Sequence, residues 1–186
     1  TSALDSETEW LQDGFIFGER PQRAGEFRVS DEGSLQCVSR SAAASDPFWR
    51  GLVSIGQAAH SRSVLSPVPR SGRTLQTETF ELVAGEVWCR VHGAGHVFAC
   101  VDSHHLVAGP LHGETLRAIQ PDQPWVKLNL SRYVGHRLHL EFTPDEATQL
   151  EVSVVLQTTS PEELTQAKQD VEKYERQEES WALARL

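Results

Sequence analysis

Between Leu75 and Leu156, apolar and polar residues alternate one by one in segment after segment, and this restricts the chain more than any other feature. Phe80 and Leu82 flank Glu81, and Val87, Cys89 and Val91 flank Trp88 and Arg90. Val126, Leu128 and Leu130 flank Lys127 and Asn129, and Leu138, Leu140 and Phe142 flank His139 and Glu141. His96 to Val101 reads as the return strand of a hairpin whose turn is Gly93-Ala94-Gly95. Leu150, Val152, Val154 and Leu156 alternate with polar partners except at Val155. A period of two sends successive side chains to opposite faces of a strand, so each segment has one dry and one wet face. No helical pattern intervenes, which predicts a β-sandwich rather than alternating strands and helices.

The flanks differ. In residues 1–74 the segment Gly14-Phe15-Ile16-Phe17-Gly18 reads as a short apolar strand bounded by glycines. Phe27–Val29 and Leu35–Val38 read as strands around a turn at Asp31-Glu32-Gly33. From Ser41 to Gly72, Ser, Ala, Pro and Gly dominate, with Phe48-Trp49-Arg50-Gly51 the one aromatic interruption. That stretch reads as a long loop, and long loops in small domains are often functional. After Ser160 the pattern changes: Ser160-Pro161-Glu162-Glu163 is a helix-start signature. Leu164, Ala167, Val171, Tyr174 and Trp181 then recur at helical spacing. Residues 161–184 therefore form an amphipathic helix whose stripe packs on the sandwich, on a neighbouring domain or on another copy. The organisation is a sandwich module over 1–159 and a helix or linker over 160–186.

Charge excludes some partners. The 186 residues carry a net charge of -9, which argues against nucleic acid and anionic lipid. Part of that deficit sits on the tail, where Glu162, Glu163, Asp170, Glu172, Glu175, Glu178 and Glu179 outnumber the bases. Arg62, Arg70 and Arg73 read as solvated loop arginines or a local basic surface. No apolar run approaches the roughly 20 residues of a membrane-spanning helix. A chain beginning at Thr1 and containing no Met reads as an internal segment of a longer protein.

Motifs for chemistry are scarce. There is no phosphate loop, nucleophile elbow, His-Glu-x-x-His or haem-attachment pattern, and no two of Asp102, Glu114, Asp122, Glu141, Asp145 and Glu146 stand out as a catalytic pair. The expectation is a protein without catalysis and without a cofactor. His92, His96, His104, His105 and His112 cluster in sequence but lack metal-site spacing, so no metal is expected; they read as exposed or hydrogen-bonded residues, or as ligand contacts. Cys37, Cys89 and Cys100 match no redox or metal pattern; Cys89 and Cys100 are either buried thiols or a cross-strand disulfide of the expected hairpin. Trp88 and Trp125 read as core residues. Trp49, in a polar loop, is either a stacking platform or a packing residue.

Several motifs occur in order along residues 10–157: Trp10 with Gly14-Phe15-Ile16-Phe17-Gly18; Ser71-Gly72-Arg73-Thr74-Leu75 with Phe80 and Leu82; and Val101-Asp102-Ser103-His104-His105-Leu106-Val107-Ala108-Gly109-Pro110-Leu111-His112-Gly113. Trp125 to Leu130-Ser131 follows, then Tyr133-Val134-Gly135-His136 to Glu141-Phe142. This series resembles the sandwich insert of the large cytochrome-c-fused surface proteins of planctomycete bacteria. The resemblance implies an all-β, jelly-roll β-sandwich of galactose-binding-like type with the C-terminal amphipathic helix as a connector. It further implies an exported protein, periplasmic or at the cell surface, that recognises carbohydrate. The sequence departs from the family where Thr143-Pro144-Asp145-Glu146-Ala147 and Leu150-Glu151-Val152-Ser153-Val154 stand in place of an acidic, Gly-rich turn and a strand ending in Val-Asp-Glu, so a calcium site there is not carried over.

A sugar site needs an aromatic platform and planar polar groups matched to hydroxyls. Trp49, Asp102, His104, His105, His112 and Arg117 meet that requirement, with Arg73 and Arg90 added for a sulfated or carboxylated glycan. The expected function is thus a non-catalytic carbohydrate-binding module of a multidomain protein. Its partners would be a polysaccharide, neutral or anionic, and neighbouring domains met through the C-terminal helix, with no nucleic acid and no membrane insertion. The alternative is a structural docking domain between catalytic or cytochrome domains, without a ligand of its own.

Overall fold

The computed structural model describes residues 2–3, 10–23, 25–29, 33, 35–38, 42–49, 72–104 and 113–183. In chain order the strands are β1 (Ser2–Ala3), β2 (Leu11–Asp13), β3 (Phe27–Val29), β4 (Leu35–Cys37), β5 (Ala43–Ala44), β6 (Thr74–Gln76) and β7 (Phe80–Glu81). They continue with β8 (Glu86–Gly93), β9 (Gly95–Val101), β10 (Leu116–Ile119), β11 (Trp125–Asn129), β12 (Arg137–Pro144) and β13 (Leu150–Gln157). One helix, α1 (Pro161–Leu183), follows. A five-stranded sheet runs β1-β13-β8-β11, with β5 also on β13; a six-stranded sheet runs β10-β9-β12-β6-β2, with β7 also on β12. The expected strands β3 and β4 pair antiparallel as a separate small sheet.

The two large sheets pack face to face. Val87, Cys89, Val91, Val126 and Leu128 from one meet Leu75, Val97, Ala99, Leu138, Leu140 and Phe142 from the other in one buried core. These are the dry-face residues of the alternation, so period two fixes which side of each strand is inside. The fold is a two-sheet β-sandwich with a C-terminal helix.

The expected hairpin at Gly93-Ala94-Gly95 is a corner instead. β8 pairs with β11 and β13, whereas β9 pairs with β10 and β12, so the chain changes sheets there. The turn between β12 and β13 changes sheets beside it: Ala94 N–H donates to the Gln149 carbonyl at 3.0 Å, and Asp145 N–H donates to the Ala94 carbonyl at 3.2 Å. The two crossings are so close that a Cβ on Gly93 would lie 1.9 Å from the Gln149 carbonyl oxygen. Glycine here makes room for a neighbouring backbone. As a result Cys89 and Cys100 lie in different sheets and face different sides, and no disulfide joins them.

Two further expectations are revised. Gly14–Gly18 is a turn, closed by Gly18 N–H on the Phe15 carbonyl at 2.8 Å, and the strand precedes it at β2. Its Ile16 and Phe17 are nonetheless buried in the core. The apolar series on β13 serves two faces, because a bulge between Val152 and Val154 shifts the register. Leu150, Val152 and Val155 face the sandwich core, while Val154 and Leu156 face outward.

That outward face is covered by α1. Val171 is buried against Val154 and Leu156, with Trp88, Trp125, Leu164 and Ala167 packed around them. Of the three destinations open to the helix stripe, the sandwich itself takes this part, and Trp88 and Trp125 lie between sheet and helix. Glu163 N–H donates to Ser160 Oγ at 3.2 Å, the cap anticipated from Ser160-Pro161-Glu162-Glu163. Tyr174 stays exposed.

Candidate functional site

At the end of the sandwich where the chain crosses sheets, a cleft of about 600 Å³ opens between β3 and a 3-10 turn at Pro47–Trp49. Its volume falls within the range of small-ligand sites. Ala44 of β5, Ser45 and Gln149 line the cleft as well, and they are tied together where Ser45 N–H donates to the Leu150 carbonyl at 2.7 Å and Leu150 N–H returns to Ser45 Oγ at 2.8 Å. The 3-10 turn is set by Asp46: its carboxylate accepts Phe48 N–H at 2.9 Å, and its own N–H donates to the Ile16 carbonyl at 2.7 Å.

This turn separates two neighbouring rings. Trp49 is half-buried and packs against the main core, while Phe48 is 79% exposed on the cleft wall. Phe48 meets the Trp49 ring edge-on, with centroids 4.9 Å apart, and Phe15 approaches Trp49 at 5.8 Å. Phe27, 70% exposed, lines the same cleft from β3. The anchored indole holds the phenyl group in place, and the exposed rings offer apolar faces to a ligand.

Polar groups complete the lining. Arg20 holds Glu26 through two parallel hydrogen bonds, of 3.1 and 2.7 Å, and Arg28 pairs with Glu151. The hydrogen bond from Arg20, followed by that from Arg23 N–H, holds the Glu26 carboxyl below its ordinary value. Glu26 is therefore an acceptor at neutral pH and no proton donor. Gln22, Asp46 and Gln149 add amide and carboxylate groups.

Among the described residues, those anticipated from sequence (Trp49, Arg73, Asp102, His104 and Arg117) stand in separate places. Asp102 and His104 lie at the far end of β9, a strand length of roughly 20 Å from Gly95. There Asp102 and Ser103 adopt left-handed φ values of 49° and 62°, and His104 N–H closes the reverse turn on the Val101 carbonyl at 2.8 Å. The Asp102 carboxylate meets His136 Nδ1 at 2.6 Å and accepts Arg137 N–H at 3.3 Å. The bond to His136 is the chief reason that its carboxyl titrates below the ordinary range. His104 turns its own Nδ1 to the Asp102 carbonyl at 2.7 Å.

Arg117 is exposed on β10 and lines a second, more open cleft of about 510 Å³ with Asp122, Trp125 and Lys127. Arg73 is buried, and its guanidinium donates to the Pro144 and Asp145 carbonyls at 3.3 and 3.4 Å. His105 and His112 lie outside the described residues, as do Arg62, Arg70 and residues 50–71 of the expected loop. His92 and His96 do not converge: one stands 4.0 Å from Glu175 on the helix side, the other 3.1 Å from Asp145 on the other sheet.

On the outer face of the six-stranded sheet, Cys100, His139 and Glu141 bring their potential ligand atoms within 4.8 Å of one another, and His139 Nε2 lies 3.1 Å from Glu141 Oε1. Sequence reasoning placed His139 and Glu141 on the wet face of a strand but not beside Cys100. The sequence pattern put Phe27 in a short strand and Phe48 in the aromatic interruption of a loop, but marked neither of them, nor Arg20, as part of a site. Comparison with protein-family models, with curated proteins and with solved structures found no match.

Proposed function

We propose that this chain is a non-catalytic carbohydrate-binding module, of jelly-roll and galactose-binding-like type, within a larger exported protein. The observation that carries this reading is the cleft in which the exposed rings of Phe27 and Phe48 stand beside the Arg20–Glu26 pair and Gln149. A pyranose has an apolar C–H face and a rim of hydroxyls. Phenyl rings suit the first, and fixed guanidinium, carboxylate and carboxamide groups suit the second. A neutral polysaccharide fits better than an anionic one. Arg73 and Arg90 are committed to internal partners, Arg20 already holds Glu26, and the net charge is -9.

Affinity electrophoresis against neutral, sulfated and uronic-acid polysaccharides tests the proposal. Retardation by a neutral polymer is expected, weakened about tenfold or more by Phe48→Ala (about 1.4 kcal/mol) and unchanged by Arg117→Ala. No retardation on any polymer, or retardation indifferent to both Phe27→Ala and Phe48→Ala, would reject it.

The exposure of Phe15, Phe27 and Phe48 favours a second reading, a docking surface for a flanking domain of the same polypeptide. That reading predicts no glycan binding, and protection of the three rings from solvent in the longer protein.

A further inference from the structure

The geometry points to a transition-metal site of zinc type on the outer face of the six-stranded sheet, with Cys100, His139 and Glu141 as its protein ligands. Cys100 on β9 and His139 on β12 are direct cross-strand partners. Glu141 lies two residues further along β12 and so shares their face. Neighbouring antiparallel strands place such partners close together, and the two-residue step adds a third donor without any loop having to fold. The rigidity comes from the centre of the sheet, since β9 and β12 each have a strand on both sides.

The dimensions fit. Zinc bond lengths of about 2.0–2.3 Å in a tetrahedron set donor atoms roughly 3.3–3.8 Å apart. The three donor atoms already lie within 4.8 Å of one another, and the imidazole and carboxylate are 3.1 Å apart.

The chemistry fits too. Thiolate, imidazole and carboxylate form a mixed donor set suited to zinc and its neighbours, whereas calcium or magnesium would want several oxygens and finds one carboxylate here. A divalent ion offsets the charge of one thiolate and one carboxylate. That offset matters because Cys100 and Glu141 are 1% and 2% exposed, and charge at such depth is costly to remove from water. The thiol proton is released to solvent on binding. The His139 side chain is 18% exposed and marks the solvent side. Three protein ligands leave a fourth position for water or a donor atom of another molecule.

This site is independent of the cleft, so either can fail alone. The test is titration of the metal-free 186-residue chain with Co²⁺, followed by displacement with Zn²⁺. One Co²⁺ per chain is expected, with visible bands of tetrahedral cobalt and a near-ultraviolet thiolate-to-cobalt band. Cys100→Ser should abolish the thiolate band, and His139→Gln and Glu141→Gln should each weaken Zn²⁺ binding by about 100-fold or more. X-ray absorption on the zinc-loaded wild-type protein gives an answer that needs no variant: one sulfur and otherwise nitrogen or oxygen neighbours. A shell without sulfur, a thiolate band that survives Cys100→Ser, or Zn²⁺ affinity unchanged in both β12 variants would overturn the assignment.

Discussion

Glu175 reaches from α1 to Arg90 on β8, where the guanidinium Nε lies 3.1 Å from both carboxylate oxygens and Nη2 adds a further bond. Arg90 also lies over the Trp125 ring, 5.6 Å from its centroid. Burial acts to raise the Glu175 pKa, but the attraction of His92 and Arg90 outweighs it and holds the carboxyl at about 2. A depressed acid stabilises the fold above its unfolded value, 4.5, and loses that contribution as pH falls towards 2. The full shift corresponds to about 3 kcal/mol. Glu175→Gln is therefore expected to cost about 2–3 kcal/mol at neutral pH, since it leaves Arg90 buried without its counter-charge. In urea titrations the gap between wild type and variant should narrow from pH 4.5 to 2. Parallel profiles would show that the pair carries no linkage. Neither partner was legible as a pair in the sequence: Arg90 alternated with apolar neighbours as a wet-face residue, and Glu175 was one acid of a solvated tail. The Cys100–His139–Glu141 group was half legible, because His139-x-Glu141 on a strand shares a face by parity. Cys100 required the register between strands, which no local pattern supplies.

On the scale of elements, β13 shows how one apolar series can serve two cores. Leu150 lies between the sheets, and Leu156 lies under α1, because the bulge reverses the faces between them. Both leucines are buried, so each Leu→Ala change is expected to cost about 2–5 kcal/mol in the full chain. In a chain ending at residue 160, Leu156→Ala should cost little, because its neighbours on the helix are gone, while Leu150→Ala should keep its full cost. Chemical denaturation of the four variants and their two parent chains makes this comparison. Equal losses for Leu156→Ala with and without the helix would place that side chain elsewhere. The strand itself was legible, and Val155 was its one visible irregularity. A break in alternation says that something happens there; only the pairing with β8 identifies it as a bulge. The helix was legible from its cap and spacing, but its destination depended on Trp88 and Trp125, which read as core residues in the sequence and lie instead between the outer sheet face and α1. The cleft was least legible, since the aromatic Phe48-Trp49 pair drew attention to one wall while Phe27 and Arg20 come from distant segments.

For the molecule as a whole, the paired sheet-crossing corners decide the architecture. Gly93 has φ of +103° and no space for a Cβ, so Gly93→Ala combines backbone strain with a collision against the Gln149 carbonyl. It is expected to cost more than about 3 kcal/mol. Gly135→Ala is the control: its φ of +87° is also left-handed, but no atom of the described residues would lie within 4 Å of the new Cβ. That change should cost about 1 kcal/mol, the strain alone. Thermal melts of both proteins separate crowding from strain, and similar losses would remove the close approach as the reason for glycine. The same corners bear on how the chain finds its fold. β8 and β9 are adjacent in sequence yet take their ladder partners elsewhere: Cys89 sits opposite Val126 and Val155, and Cys100 opposite His139. A hairpin could zip outward from its turn as soon as a few residues met. Here the ends of longer chain segments must meet before the ladders of β8 and β9 can grow, and the entropy of closing those segments is spent before contacts repay it. Between synthesis and the native state the edges of β8 and β9 stay open, and self-association competes with folding during that interval.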